Sequence, residues 1–270
     1  MTKMIQKFFQ FLQLLHGQRQ LIISMAKREL ASDYIGSFLG AVWTFIRPLV
    51  MIAVFWFVFS IGFKAKPMND VPFVVWLTAG MAPWFVFADI INGSTTSIVN
   101  NANLIKKTLF PSQIFPVVKI VSCLMTHSVF LFILIGLIFL QGMDISLYYF
   151  QFLYYLFGLS VFALGIAWIV SALHVFLRDV GQLVGVILQV GFWLTPIFWD
   201  ISMMSERTQT ILKFNPIYYV IQGYRDSFIT FVPFWHHPLY TVYFWVVSLT
   251  VLVTGALIFQ KLKPQFADVL

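Results

Sequence analysis

The sequence predicts an all-α membrane protein with six transmembrane helices, an N-terminal amphipathic helix at the interface, and re-entrant extracellular helices between spans 5 and 6. Three observations carry that prediction. The first is composition: 60% of residues are hydrophobic, only 10% are charged, and mean hydropathy is +0.87, whereas soluble domains average about 45–50% apolar and about 25% charged. The second is the placement of charge. A charged side chain at the bilayer centre costs about 2.5–3.5 kcal/mol, so charge-free intervals locate spans, and six stand out: 48–63, 71–88, 120–143, 145–177, 180–199 and 227–260. The third is asymmetry: with an even number of spans both termini share a side, and 12 of the 17 Lys and Arg residues fall there. The positive-inside rule makes that side cytoplasmic.

Each element follows in order. In "MTKMIQKFFQFLQLLHG" the polar residues Lys3, Gln6, Lys7, Gln10 and Gln13 recur at three- and four-residue steps. With no small-residue cleavage motif after it, the stretch reads as a helix lying on the membrane surface. "KRELASDYIGSFLGAVW" then leads the chain from the surface into the bilayer. A core about 30 Å thick needs about 20 helical residues, so the first span starts ahead of Arg47, which snorkels to the headgroups. The spans are placed near 43–63, 72–92, 118–140, 150–176, 180–199 and 238–260. The connection 93–117 offers Ser, Thr and Asn groups, a short "NLIKKTLF" segment and two prolines. It reads either as a short helix presented to a cytoplasmic partner or as an ordinary solvated loop.

The outer connection, 200–237, contains "NPIYYVIQGYRDSF". Only 11 uncharged residues separate Lys213 from Arg225, about 16 Å of helix, which cannot cross the core. The stretch must lie on the interface or dip in and return. The whole chain, 1–270, reads as one membrane domain: an interface region at 1–40, spans over 43–260, and the re-entrant region inside them.

Several chemistries are excluded. No GxxxxGK[ST] sequence exists to cradle a nucleotide triphosphate. His16, His127, His174, His236 and His237 lack ligand spacing, and Cys123 is the single cysteine, so no metal site and no intrachain disulfide is expected. Clustered intramembrane carboxylates are missing; Asp89 falls at a span end and is read as structural. The net charge of +7 is a topology signal and does not indicate a nucleic-acid surface.

Four stretches carry a family resemblance: "KRELASDYIGSFLGAVWTFIRPL" (27–49), "NANLIKKTLFP" (101–111), "RDVGQLVGVILQVGFWLTPIFW" (178–199) and "FNPIYYVIQGYRDSF" (214–228). Together they resemble the membrane subunit of ABC-2 type polysaccharide exporters, which move lipid-linked teichoic acids, O-antigens and capsules. The resemblance implies the ABC-2 transporter fold in a bacterial cytoplasmic membrane. It also implies a homodimer joined to two copies of a separate P-loop ATP-binding subunit. That subunit would bind ATP and Mg, leaving this chain with no catalytic residue and no cofactor. Asn103, Leu104, Lys106 and Lys107 would lie on a coupling helix against the ATPase, with Arg28 and Tyr34 adding contacts. The first and fifth spans would face the channel, lined by Phe57, Phe59, Phe192 and Trp193, whose aromatic faces give a sugar chain a path without deep wells. Asn215 and Pro216 would start the second outer helix. With Tyr218, Tyr219, Arg225 and Asp226 they would form the extracellular gate, the last two at the headgroup boundary where the chain turns into the final span. Arg47 would pair with a lipid pyrophosphate headgroup or serve as a snorkelling anchor. Within the family, "LKPQFADVL" and residues 195–228 look most like teichoic acid exporters. An O-antigen or capsule exporter is the alternative, and a membrane enzyme acting on polyprenyl lipids a more distant one.

Overall fold

The computed structural model describes residues 11, 13–32, 36–64, 71–107 and 110–270. Tyr34 lies outside them. The described residues form helices and turns with no β-strand.

Helix α1 (Arg19–Ser32) lies along the start of α5 (Ile114–Leu140), burying Ile22 and Ala26 against Ile114 and Val118. Helix α2 (Trp43–Trp56) follows a 3-10 turn at Gly40–Val42 and runs into a π-helical turn at Phe57–Gly62, giving 23 residues in all. Helix α3 (Phe73–Asn100) is the centre of the bundle: 78% of its most apolar window is buried, against 6% for α2. It packs against α5, against α6 (Phe152–Phe176), and against the outer helix α9 (Pro216–Arg225). Between α3 and α5 comes the six-residue α4 (Ala102–Lys107). Helix α7 (Asp179–Leu194) follows α6; α8 (Glu206–Lys213) and α9 form the outer segment; α10 (Pro238–Leu262) and the short α11 (Phe266–Val269) close the chain. The closest crossing is between α6 and α10, where Gly165 faces Gly255 and a methyl on either would overlap the opposing backbone. Small residues at such a crossing let two helix backbones touch.

Among the described residues, five helical stretches are long and apolar enough to cross a membrane: Gly40–Gly62, Phe73–Asn100, Ile114–Leu140, Leu147–Phe176 and Pro238–Val269. They run between two ends. One gathers the start of α2, the end of α3, α4, the end of α6 and the C-terminus; the other gathers the start of α6, the start of α10 and the outer helices.

Two boundaries differ from the sequence expectation. The span placed at 180–199 is helical only to Leu194, and its 16 residues reach about 24 Å, short of a bilayer core. The cause is Thr195 before Pro196, since a residue preceding proline is driven out of the α region; Thr195 has ψ 134°. The bent, non-helical piece that follows is held by the outer helices: Asn215 Nδ2 donates to Thr195 Oγ1 at 3.0 Å and Arg225 Nη2 to the Ile197 carbonyl at 2.8 Å. The second span extends to Asn100, past the expected end at 92. Its Ser and Thr groups, placed by the sequence reading in the connection 93–117, bond back into their own helix: Thr95 Oγ1 to the Ile91 carbonyl at 2.8 Å, Ser97 Oγ to Ser94 O at 2.7 Å. Asp89 therefore sits well inside α3.

Candidate functional site

Helix α4 is a small platform. Asn101 ends α3 and starts the next turn, its Nδ2 donating to Ser97 O at 2.8 Å while its carbonyl accepts from Leu104 N at 3.0 Å. On the inner side Ile105 packs with Ile98, Trp168, Phe259 and Phe266. Asn103, Leu104 and Lys106 are exposed on the other side. The chain behind the platform is fixed at Gln113, whose carbonyl accepts from Trp168 Nε1 (3.2 Å) and whose Oε1 accepts from Lys263 Nζ (2.7 Å). Lys107 is the last residue of α4. Arg28 is exposed on α1.

A cleft of about 430 Å³ opens among α2, α3 and α5. Each helix contributes one stripe at three- and four-residue steps, as a single helical face requires. From α2 come Trp43, Thr44, Arg47 and Met51; from α3, Ala82, Phe85, Asp89, Asn92 and Gly93; from α5, Lys119, Ser122, Thr126, His127 and Phe130. The polar members sit toward the end of the bundle that holds the chain termini, and the apolar ones further in. Lys119 Nζ pairs with Glu29 Oε1 of α1 at 2.9 Å. Gly93 makes room for the Lys119 stem, which a methyl there would overlap. At the inner end His127 Nε2 and the Tyr224 hydroxyl are 2.9 Å apart, tying α5 to α9.

The aromatic residues expected along a channel divide. Phe59, Phe192 and Trp193 converge on Phe198, with ring centroids 5.1, 5.0 and 5.1 Å from it, and Phe55 stacks on the same ring at 5.5 Å. The far ends of α2 and α7 are thus joined by one aromatic cluster. Trp193 remains 54% exposed at its edge, and Phe57, 58% exposed, points away from it.

The outer helix α9 starts as the sequence reading has it. Asn215 Oδ1 accepts from Ile217 N at 3.0 Å and Pro216 occupies the first turn, where no N–H is missed. The Tyr219 hydroxyl lies 2.9 Å from Thr241 Oγ1 and 3.3 Å from the Tyr154 hydroxyl, and its ring stacks on Phe244. Tyr218 is half-buried. Arg225 and Asp226, however, do not sit at a hydrated turn. Both are buried, and the last long helix begins only at Pro238. The Arg225 guanidinium lies 3.5 Å above the Trp76 ring and donates to Ile197 O, in a gap that Gly80 leaves open. Burial pushes its pKa down to about 9, still well above neutrality, so the group stays charged. Asp226 accepts from Gln222 Nε2 (2.9 Å) and Thr230 Oγ1 (3.0 Å); burial raises its pKa, with these bonds opposing the rise. Trp76, Gly80 and Ile197 were missed in the sequence because nothing local marks them as partners of an arginine so far along the chain.

A buried central helix with four further long apolar helices, a short exposed helix at one of its ends, and a helical hairpin at the other define a multi-pass α-helical membrane protein. The chain belongs to the ABC-2 type transporter family, whose model matches residues 20–229, from α1 through the outer segment. It is similar to the O-antigen export system permease protein RfbA of Klebsiella pneumoniae, with 29% identity over 251 residues that cover 93% of this chain and 95% of that one. It is also similar to the protein of the same name from Myxococcus xanthus, 26% identical over 272 residues and 99% of each chain.

Proposed function

We propose that this chain is the permease subunit of an ATP-driven exporter that carries a lipid-linked cell-surface polysaccharide across a bacterial cytoplasmic membrane. The observation that carries the reading is α4, a helix pinned by Ile105, Trp168 and Phe266 to the end of the core helix, with Asn103, Leu104 and Lys106 presented outward. A P-loop ATP-binding subunit docks there, with Arg28 and Lys107 beside the contact, and supplies the ATP and Mg. Helix α7, extended by the non-helical residues 195–199, completes a sixth crossing, and both termini are cytoplasmic, the side the Lys and Arg distribution favours. Two copies of the chain meet through α2 and α7, whose outward faces carry Leu49, Val50, Val54 and Phe57, and Leu183, Val186, Ile187 and Val190, all exposed in the single chain. The aromatic cluster around Phe198 borders the glycan path, and the α8–α9 hairpin with Asn215 and Tyr219 forms its outer gate.

For the cargo, O-antigen type glycan is supported by the relatives' names over nearly the full chain. A teichoic acid is the second reading, favoured by the C-terminal "LKPQFADVL" and by residues 195–228. The test is co-purification with a P-loop ATPase and ATP-dependent glycan export into inverted vesicles. Replacing Asn103, Leu104 and Lys106 together by Ala is expected to abolish association and export while leaving the chain folded. Transport by the isolated chain without any ATPase defeats the proposal.

A further inference from the structure

Helix α4 has six residues, well below the roughly 12–15 at which an isolated helix becomes even marginal in water. Its place is therefore set by what lies behind it, and part of that backing comes from the last residues of the chain. Pro264 lacks the N–H that would continue α10, and the chain bends through a 3-10 turn at Lys263–Gln265 into α11. Phe266 is the one large apolar side chain within residues 263–268. It sits on a helix of only four residues, yet it is 0% exposed. The turn has laid it back against the bundle, with α11 in contact with both α4 and α6.

Two contacts tie this segment to its surroundings. Phe266 shares a cluster with Ile105 on the inner side of α4, and its ring centroid lies 5.4 Å from that of Phe259 and 6.1 Å from that of Phe176. Phe176 is the last residue of α6, and Leu177 and Arg178 lead from it straight into α7. Lys263 Nζ donates to Gln113 Oε1 at 2.7 Å. Gln113 caps the start of α5, and its carbonyl accepts from Trp168 Nε1 of α6. The segment thus touches α4 itself, the head of the helix that follows α4, and the elbow between α6 and α7. The exposed residues Asn103, Leu104 and Lys106 are on the opposite side.

We infer that residues 263–270 brace α4 against the bundle, with Phe266 and Lys263 as positioning residues that carry a displacement of α4 to the α6–α7 elbow. The inference rests on the export reading, in which an ATP-binding subunit pushes on α4. Close-packed side chains pass such a displacement on. Without the brace the subunit still docks on the outward residues, but its stroke is absorbed where α4 meets the bundle.

The test uses the full chain with its co-purified ATPase in inverted membrane vesicles. Three quantities are read: ATPase bound per chain, ATP hydrolysed, and glycan exported per ATP. Phe266→Ala and Lys263→Met are each expected to leave the bound ATPase unchanged and to lower export per ATP by about fivefold, within the range by which residues along a coupling route alter it. Phe266→Leu, which keeps apolar bulk, and Lys263→Arg, which keeps a donor for Gln113, should restore the wild-type ratio. Val269→Ala, at an exposed position of α11, should not change it. If Phe266→Ala does not fold, Lys263→Met on the half-buried side of the turn must show the loss alone. A merely structural role lowers the amount of folded complex and leaves export per ATP as it was, and that result overturns the inference. So does loss of ATPase binding in the folded variants, which would put these residues in the docking contact. If the wild-type chain neither binds an ATPase nor exports, the export reading fails and the brace with it; if it does both beside variants of unchanged ratio, only the brace fails.

Discussion

Arg225 offers a quantitative check on what holds the outer helix to the core. Its guanidinium sits 3.5 Å over Trp76 and donates to Ile197 O at 2.8 Å while only 4% exposed. Replacing it with Met removes a desolvated cation–π contact worth about 2 kcal/mol and a hydrogen bond from a charged donor worth about 1.5–3 kcal/mol. It also relieves the cost of burying the charge, which is several kcal/mol per ion. The net effect of that single change is a difference of similar terms and decides little. A double-mutant cycle isolates the ring. Trp76→Leu alone loses both the ring's bulk and its attraction for the cation; in the Arg225→Met background it loses bulk only. The expected coupling is therefore about 2 kcal/mol, read by SDS-titrated unfolding of the detergent-solubilised protein with far-UV circular dichroism. Gly80→Ala adds a second arm, since its methyl would stand 2.8 Å from Arg225 Nη2 and 3.1 Å from Ile197 O. Overpacking of this kind costs about 1–3 kcal/mol and offsets the ~1 kcal/mol of helix propensity gained. In the Arg225→Met background the guanidinium contact is gone, and the same change should cost less or stabilise. Additivity within about 0.5 kcal/mol in the Trp76 cycle would falsify the proposed stacking.

Two further outcomes are expected. Asp226→Asn keeps an acceptor for Gln222 and Thr230 and removes a carboxyl whose pKa burial raises above its ordinary 3.8. A raised acid makes the folded state bind protons more readily than the unfolded one, so the wild-type chain loses stability as pH climbs from that ordinary value through the raised one. The Asn variant should lack this fall and be at least as stable at neutral pH; a variant less stable there by more than about 1 kcal/mol, well beyond the few tenths usual for a neutral surface change, contradicts the assignment. Trp168→Phe removes the 3.2 Å bond to the Gln113 carbonyl behind α4, which should cost about 1 kcal/mol. If α4 is the docking platform, this variant should also lower the partner's stimulated ATP turnover, and unchanged turnover in a destabilised variant would separate the bond from coupling.

The spans were legible because charge is expensive in lipid, so a reader of Lys, Arg, Asp and Glu alone finds the five long helices, although the end of α3 at Asn100 lies past the expected 92. The early end of α7 was also written in the sequence, at Thr195-Pro196, but the charge-free interval extends to Trp199 and outweighed it. The outer hairpin was legible from length: α9 is too short to cross whatever its partners. Arg225 was misplaced for a different reason. A charged pair in an apolar sequence reads as hydrated, and only the tertiary approach of Trp76, Gly80 and Ile197 makes a dry guanidinium tolerable. The same limit hid the cleft. Each stripe can be found on its own helix at three- and four-residue steps, but which stripes face one another depends on the packing of α2, α3 and α5.

Burial also separates what is rigid from what has room to move. Helix α3, about 42 Å long over its 28 residues, joins the α4 platform at one end to the Gly80 seat of Arg225 toward the other, and α5, α6 and α9 pack along it. A displacement applied at α4 would carry that whole unit, because close-packed interiors transmit strain and do not absorb it. Helix α2 is held differently: 6% of its apolar window is buried, and its far end meets α7 through the rings around Phe198. Few buried contacts mean a low cost of local rearrangement. The cleft lies on the seam between these two parts, with Arg47 on the loosely held side and Asp89, Asn92 and Lys119 on the rigid one.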